Sequence, residues 1–404
     1  MPTHAGAQGP EADVAVVGAG IVGLGIAWEA ARSGRTVVVV DPEPAGGATF
    51  AAAGMLAPVS ELHYQEEELL ELTLASARLY PEFVKPLAGP TGYRSTRTLV
   101  VGADAADRQA LADLRQLQLQ HGLSVQPLGV RQVRAEEPML GPQLSCAFGI
   151  DQDHQVDPRV LAAALQAALA AHAGGQGWLL RRPATGLLHA DPADTASAVT
   201  GVALAGGGTV RAAEVVLANG LGAAEIAGLP DGLRLPLRPV YGDILRLRVP
   251  EQLRPLLTAT VRGLVRGLPV YLVPREDGTV VLGATQREDG LAAVSAGGTY
   301  QLLRDAQALV PAVAELELIE TTARARPGTP DNAPLLGRVA APGGGDVPGL
   351  IVATGFFRHG VLLTPVAARI CRELMDGDGD GRWDRFRPDR FSASDLTSSR
   401  RSLK

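Results

Sequence analysis

The stretch Val14-Ala-Val-Val-Gly18-Ala-Gly20-Ile21-Val22-Gly23, with Thr36-Val-Val-Val-Val40-Asp41 beyond a run of small residues, decides the fold. An apolar tetrapeptide feeding a Gly-x-Gly-x-x-Gly turn is the spacing of a dinucleotide-binding unit. Each glycine has its own task there. Gly18 allows the tight turn, Gly20 lets backbone approach a diphosphate, and Gly23 lets the following helix pack close to the sheet. Ile26, Ala27, Ala30 and Ala31 recur with a helical period suited to lying on a sheet, and Gly34 ends that helix. The β-branched run 36–40 is too short for a helix. It delivers Asp41 about twenty residues past the glycines, where a carboxylate accepts ribose hydroxyls. A lone glycine motif is weak; strand, turn, helix, strand and acid in this order point to a bound dinucleotide with an unphosphorylated ribose.

The chain has 404 residues, 46% of them hydrophobic, enough for substantial cores in two or three domains. A net charge of −6 and the lack of a long basic run leave no electrostatic footprint for nucleic acid. Residues 1–13 carry neither Lys nor Arg and no apolar segment, so they read as a loose tail rather than a secretion signal. No run approaches the roughly 18 apolar residues of a membrane span, so no membrane association is expected. The two cysteines, Cys146 and Cys371, fall in apolar segments and read as buried thiols of a cytoplasmic protein.

Further along, a small-residue loop at 42–54 leads to an expected long helix at 66–87. A strand at 97–101 and a helix at 104–121 break the βαβ alternation, which predicts an inserted second domain. Asp157-Pro158 opens another helix, closed by Gly174-Gly175, and strands are expected at 178–188 and 199–204. The buried-strand run 214–218, ending in Asn219-Gly220, returns the chain to the first domain. Strands at 244–249, 271–273 and 280–283, with a turn at Asp277-Gly278, predict an antiparallel sheet. A last buried strand at 350–353 precedes a helix at 361–375, whose start can stabilise negative charge. Asp376, Asp378, Asp380 and Gly381 imitate a calcium loop, but Arg387 stands where a bidentate Glu is needed, so no metal is expected.

Together with the glycine turn, the segments Ala51-Ala-Ala-Gly54-Met55-Leu-Ala-Pro58, Tyr271-Leu-Val-Pro-Arg275, Arg326-Pro-Gly-Thr-Pro-Asp331 and Gly355-Phe-Phe-Arg358-His-Gly360 resemble the flavin-dependent glycine oxidases of thiamine biosynthesis. These sit within a wider group of amine and D-amino-acid oxidases. The resemblance spans almost the whole chain and implies FAD rather than NAD. It implies an α/β plus α+β fold, in which a Rossmann-like FAD-binding domain built from discontinuous segments (11–90, 150–235 and 322–391) accompanies an antiparallel-sheet substrate domain (91–149 and 236–321). Flexible tails are expected at 1–10 and 392–404. The FAD would meet Gly18, Gly20, Ile21, Val22, Gly23, Asp41, Pro42, Ala48, Thr49, Ala53, Gly54, Met55, Ala184 and Gly220. Near its flavin ring it would meet Gly355, Phe356, Phe357, Arg358, His359, Gly360, Val361 and Leu362. Thr329-Pro330-Asp331 has no cysteine nearby, so non-covalent FAD is expected.

Arg326 and Arg358 match the family's substrate positions, and a planar guanidinium suits a bidentate grip on a carboxylate. Their alternative is an ordinary ion pair. Tyr271 matches a phenol near substrate, or else packs in its strand with the hydroxyl satisfied. Met55 either borders the substrate cavity or fills a gap. The chain departs from the family at Gln286, Thr322 and Arg324, where methionine, tryptophan and glycine are usual. The implied reaction is oxidative deamination of glycine, with sarcosine and D-alanine as further substrates, by hydride transfer to the flavin. It would give glyoxylate or its imine, ammonia and, with oxygen, hydrogen peroxide. No residue is singled out as a catalytic acid or base. The imine would feed thiazole synthase, and a homotetramer is the family's assembly. A dehydrogenase of D-amino acids or sarcosine with another electron acceptor, and a non-catalytic flavoprotein of an assembly, remain as alternatives.

Overall fold

A computed structural model describes residues 9–175 and 177–392. The expected tails at 1–10 and 392–404 lie largely outside these residues. Two eight-stranded sheets organise the chain. The first runs Leu335–Ala340, Asp346–Thr354, Thr209–Leu217, Glu11–Val17, Val37–Val40, Leu179–Leu180, with Val199–Leu204 and Ala184–His189 branching from Thr209–Leu217. Five of its strands are parallel and in register near their ends, with Val17 beside Val40 and Leu217, Leu217 beside Val352 and Val40 beside Leu180. The chain therefore leaves the sheet along one edge, at Gly18, Asp41, Ala218 and Gly355. That edge, at the carboxyl ends of parallel strands, is where open α/β sheets form their ligand crevice.

The helices Ile21–Arg32, Glu67–Val84, Pro158–His172 and Gly360–Asp376 share one core with this sheet, around Leu24, Leu72, Leu165 and Leu363. The hairpin of Ala184–His189 and Val199–Leu204 belongs to a second core with Val17, Val38 and Val215. The parallel strands are thus apolar on both sides, which accounts for the unbroken valine runs in the sequence. The single strand expected at 178–188 is instead two, Leu179–Leu180 and Ala184–His189. They are separated at Pro183, which has no backbone N–H for a ladder.

The second sheet runs Glu317–Gly328, Arg238–Arg248, Thr279–Gly283, Leu268–Pro274, Thr260–Val265, Thr98–Gly102, Cys146–Ile150, Gln126–Leu128. It is antiparallel except where Thr260–Val265 meets Thr98–Gly102 in parallel. Its own core includes Leu99, Leu245, Leu272 and Leu302, the last from the helix Ala296–Leu309. The expected α/β plus antiparallel-sheet architecture is the observed one.

Local signals place several elements closely. Asp157 caps the helix Pro158–His172 by accepting from the N–H groups of Arg159 and Val160. Asp104 and Asp107 form a reciprocal capping box on the helix Ala105–Gln120. Cys371 is buried as expected, and burial pushes its thiol up to about 12. Cys146 is only half-buried, because it begins the strand Cys146–Ile150, one strand in from the sheet margin, rather than lying between layers. The carboxylate of Asp376, first of the calcium-like series, is bound by Arg35 and Arg372. No described helix is long and apolar enough to cross a membrane.

Candidate active site

A cavity of about 1440 Å³ extends from the glycine turn to the second sheet. One end is built from Gly18, Gly20, Ile21, Val22, Asp41, Pro42 and Ala184. Gly18 has φ +104°, and a Cβ there would lie 2.6 Å from the Ala218 carbonyl carbon. The nearest atom to a Cβ on Gly20 is Thr49 Oγ1, at 3.5 Å, so the space before Gly20 is open to a ligand. Gly23 does not line the cavity. A Cβ on it would collide with the Gly18 carbonyl oxygen, so Gly23 acts behind the wall by keeping helix and turn together. Asp41 closes the turn, its carboxylate accepting from the N–H groups of Ala19 at 2.6 Å and Glu43 at 2.7 Å.

The middle of the cavity is bordered by Ala48, Thr49, Ala53, Gly54, Met55 and Gly220. Thr49 Oγ1 accepts from the Ile21 N–H at 2.9 Å and so ties this loop to the first helix. Arg275 fixes the same loop from the second sheet. Its buried guanidinium donates to the carbonyls of Ala53 and, at 3.0 Å, Val156, and to Gln155 Oε1 at 3.1 Å. Burial lowers the Arg275 pKa to about 10.

The far end contains Phe356, Phe357, Arg358, His359, Gly360, Val361 and Leu362. Gly355 stands behind them, with φ +71° and no room for a side chain, since a Cβ would be 2.6 Å from Thr329 Cγ2. The helix Gly360–Asp376 begins here and contains Pro365, which cannot donate to the Val361 carbonyl one turn earlier. Tyr80 replaces that bond: its hydroxyl donates to Val361 O at 2.6 Å. Ser76 Oγ donates to Leu362 O at 2.6 Å and accepts from the Val366 N–H. The helix start facing the cavity is therefore held by the neighbouring helix Glu67–Val84.

The four expected substrate residues, Arg326, Arg358, Tyr271 and Met55, all border the cavity. Arg326 lies over Gly242, where a Cβ would be 2.7 Å from its Cζ, and donates to the Thr285 carbonyl at 3.4 Å. Among the described residues no carboxylate is within ion-pair distance of Arg326. The Tyr271 ring lies over Gly283, and burial raises its phenol to about 12, so it stays a neutral hydrogen-bond donor. Arg358 is different: it is ion-paired with both Glu61 and Glu66. Met55 accepts a weak contact from Arg262 at 3.6 Å. Gln286 and Arg324 border the cavity, whereas Thr322 does not and donates to Glu320 at 2.7 Å.

Sequence reasoning did not find Glu61, Glu66 and Arg262. Burial alone would raise the Glu61 carboxyl, but the charges of Arg262 and Arg358 outweigh it and hold the group well below the usual carboxylate range. The adjacent His359 is pushed the other way. Burial, reinforced by the Arg358 charge, lowers it to about 3, so the imidazole is neutral at working pH. Asp153 holds the segment carrying Glu61, accepting from the Val59 and Ser60 N–H groups at 3.0 and 2.8 Å. No spacing in the sequence links these residues; an acid two residues past an apolar run is the only signal, and it is common.

An elongated cavity from a dinucleotide turn to a helix start fits an FAD. Buried polar atoms on its wall, among them Asn219 Oδ1 and His359 Nε2, have no partner among the described residues and are available to such a ligand. The sequence profile of the FAD dependent oxidoreductase family matches residues 13–374. The chain belongs to that family. Its cofactor is FAD. Among relatives within the family, the chain is 33% identical over 377 residues to a glycine oxidase of Geobacillus kaustophilus, covering 90% of this chain and 93% of that one. It is 31% identical over 369 residues to a bifunctional protein ThiO/ThiG of Nostoc sp., covering 90% of this chain but only 52% of the relative. The chain thus spans about half the length of such bifunctional relatives. A crystal structure of glycine oxidase from Geobacillus kaustophilus superposes with a TM-score of 0.82 at 30% identity, covering 94% of this chain and 99% of that one.

Proposed function

We propose that this FAD dependent oxidoreductase oxidises glycine, with sarcosine and D-alanine as further small substrates. The observation that carries this reading is Arg326, a cavity arginine with no carboxylate of its own, in a cavity that also presents the phenol of Tyr271. A substrate carboxylate completes that pair. Held by the glycine turn and the loop bordered by Ala48, Thr49 and Ala53, FAD would supply the two-electron oxidation of the substrate Cα, with oxygen as the final electron acceptor. Arg326 and Tyr271 fix the carboxylate, so that the small Cα is presented in one orientation. His359, held neutral, adds no positive charge to repel the amine. The imine takes up water, so that glycine, oxygen and water give glyoxylate, ammonia and hydrogen peroxide.

The division proposed is an FAD-binding domain of 11–90, 150–235 and 322–391 and a substrate domain of 91–149 and 236–321, with the strand Glu317–Gly328 running through the last boundary. The FAD contacts proposed are those that border the cavity, with Gly23 and Gly355 shaping it from behind. Non-covalent attachment is supported by both cysteines lying outside the cavity wall. A homotetrameric, cytoplasmic enzyme whose imine passes to thiazole synthase is proposed from the family resemblance, and the bifunctional relatives are in keeping with that partner.

The test is peroxide release in air from purified yellow protein given glycine, with Arg326→Ala alongside. Peroxide from the parent protein alone supports the oxidase and its anchor. Flavin bleaching without peroxide indicates a dehydrogenase, and no bleaching with any small amino acid overturns the reading.

A further inference from the structure

Five arginines border the cavity. Arg262, Arg287 and Arg358 are ion-paired with acids. Among the described residues, Arg324 and Arg326 have no carboxylate in range. Arg326 is accounted for by the substrate; Arg324 is not.

Arg324 stands on the strand Glu317–Gly328 of the second sheet, opposite Gly242. Its Nε donates to the Gly46 carbonyl at 3.1 Å and its Nη1 to the Ala323 carbonyl at 3.0 Å. Its Cζ lies 5.5 Å from the centroid of the Phe50 ring, which Arg159 also covers at 3.6 Å. These contacts hold the guanidinium against the segment joining two points of the dinucleotide turn. Next to Gly46, the Ala45 N–H donates to Ala19 O at 2.9 Å, and Thr49 Oγ1 accepts from the Ile21 N–H at 2.9 Å. A dinucleotide lying in this cavity carries its diphosphate past the start of the helix Ile21–Arg32, where backbone N–H groups favour negative charge. Arg324 is only partly buried, and its guanidinium borders this cavity with no carboxylate in range among the described residues, so it is free to meet an anion there.

We infer that Arg324 binds the FAD diphosphate, reaching across from the substrate-side sheet to complete a site otherwise made of backbone. Arg324 takes its contacts from the Gly46 segment, whereas Arg326 takes its contact from Thr285, so the two serve different anions.

The experiment dilutes the holoenzyme and reads free flavin by fluorescence, giving the FAD Kd. Displacement by ADP-ribose, which has the diphosphate but neither flavin nor amino acid, gives a second Kd. Arg324→Gln is expected to weaken both about tenfold, or about 1.4 kcal/mol. Added salt weakens the parent protein's binding more than that of the variant, because the charged contact is screened. Arg324→Lys, which keeps the charge, recovers most of the loss and carries the test if the Gln variant folds poorly. Unchanged ADP-ribose affinity in Arg324→Gln overturns the inference, as does a Lys variant as weak as the Gln variant.

Discussion

Arg358 lies between two acids, donating from Nε to Glu61 Oε2 at 2.9 Å and from Nη1 to Glu66 Oε1 at 3.1 Å. Glu61 also binds Arg262, and Glu66 accepts from Asn332 at 2.8 Å. A guanidinium so engaged is a poor hold for a substrate carboxylate. The two cavity arginines that resemblance put on the substrate thus differ in their partners: Arg358 is held by two acids of the wall, whereas Arg326 has no carboxylate in range among the described residues and is the one proposed to hold the ligand.

Arg326→Ala should raise the glycine KM by about 100-fold or more, since a charge-assisted bidentate contact is lost, while FAD stays bound. Steady-state kinetics on flavin-loaded protein checks this. A KM near that of the parent would remove Arg326 from the site.

Tyr271→Phe keeps the ring over Gly283 and deletes only the hydroxyl. A neutral hydrogen bond to a carboxylate corresponds to about a tenfold rise in KM with little change in kcat. The two parameters measured together decide it, and a fall in kcat alone would give the phenol some other role.

Glu61→Gln leaves Arg262 and Arg358 without their shared counter-charge. Breaking a largely buried pair in this way should cost about 3 kcal/mol of stability, read by denaturant unfolding. A variant as stable as the parent would show that the cluster is solvated in solution.

Tyr80→Phe leaves the Val361 carbonyl with no donor, because Pro365 cannot supply one. The expected loss is about 1–3 kcal/mol, felt at the helix start that borders the cavity. Thermal unfolding and the flavin-to-protein absorbance ratio should fall together; an unaffected flavin ratio would uncouple this bond from the site.

Burial raises the Asp153 carboxyl to about 6, the backbone N–H groups of Val59 and Ser60 only partly offsetting it. A folded pKa above the unfolded value means that the folded state binds the proton more tightly, so this group's cost is greatest at neutral pH and is relieved as pH falls through about 6. Compared with Asp153→Asn, the parent protein should gain about 1 kcal/mol of stability between about pH 7.5 and about pH 5. Unfolding curves for both proteins across that range give the difference, and a flat difference rejects the assignment.

The glycine turn and the helices capped by Asp104 and Asp157 were legible because each rests on neighbours in sequence, whereas Arg326 is singled out only by the family resemblance. Glu61, Glu66 and Arg262 were not, because an ion pair between residues some 200 positions apart leaves no local pattern. The break at Pro183 follows Arg181-Arg182 between two short apolar pairs, and the proline there is a backbone signal because it cannot join a ladder. Thr322 shows the converse: a position compared with the family by residue type is turned by its strand toward Glu320, away from the cavity.

Arg275 joins the second sheet to the Ala53 carbonyl in the loop that borders the cavity, at a point closed to solvent. Swinging the two sheets apart would strip a buried cation of its acceptors, a cost that turnover does not recover. The molecule is thus stapled at its seam. The cavity's exposed lining lies elsewhere, at Tyr64 and Leu268. The seam at Arg275 is therefore the part of the cavity wall with most to lose from parting, and the exposed residues of its lining the part with least.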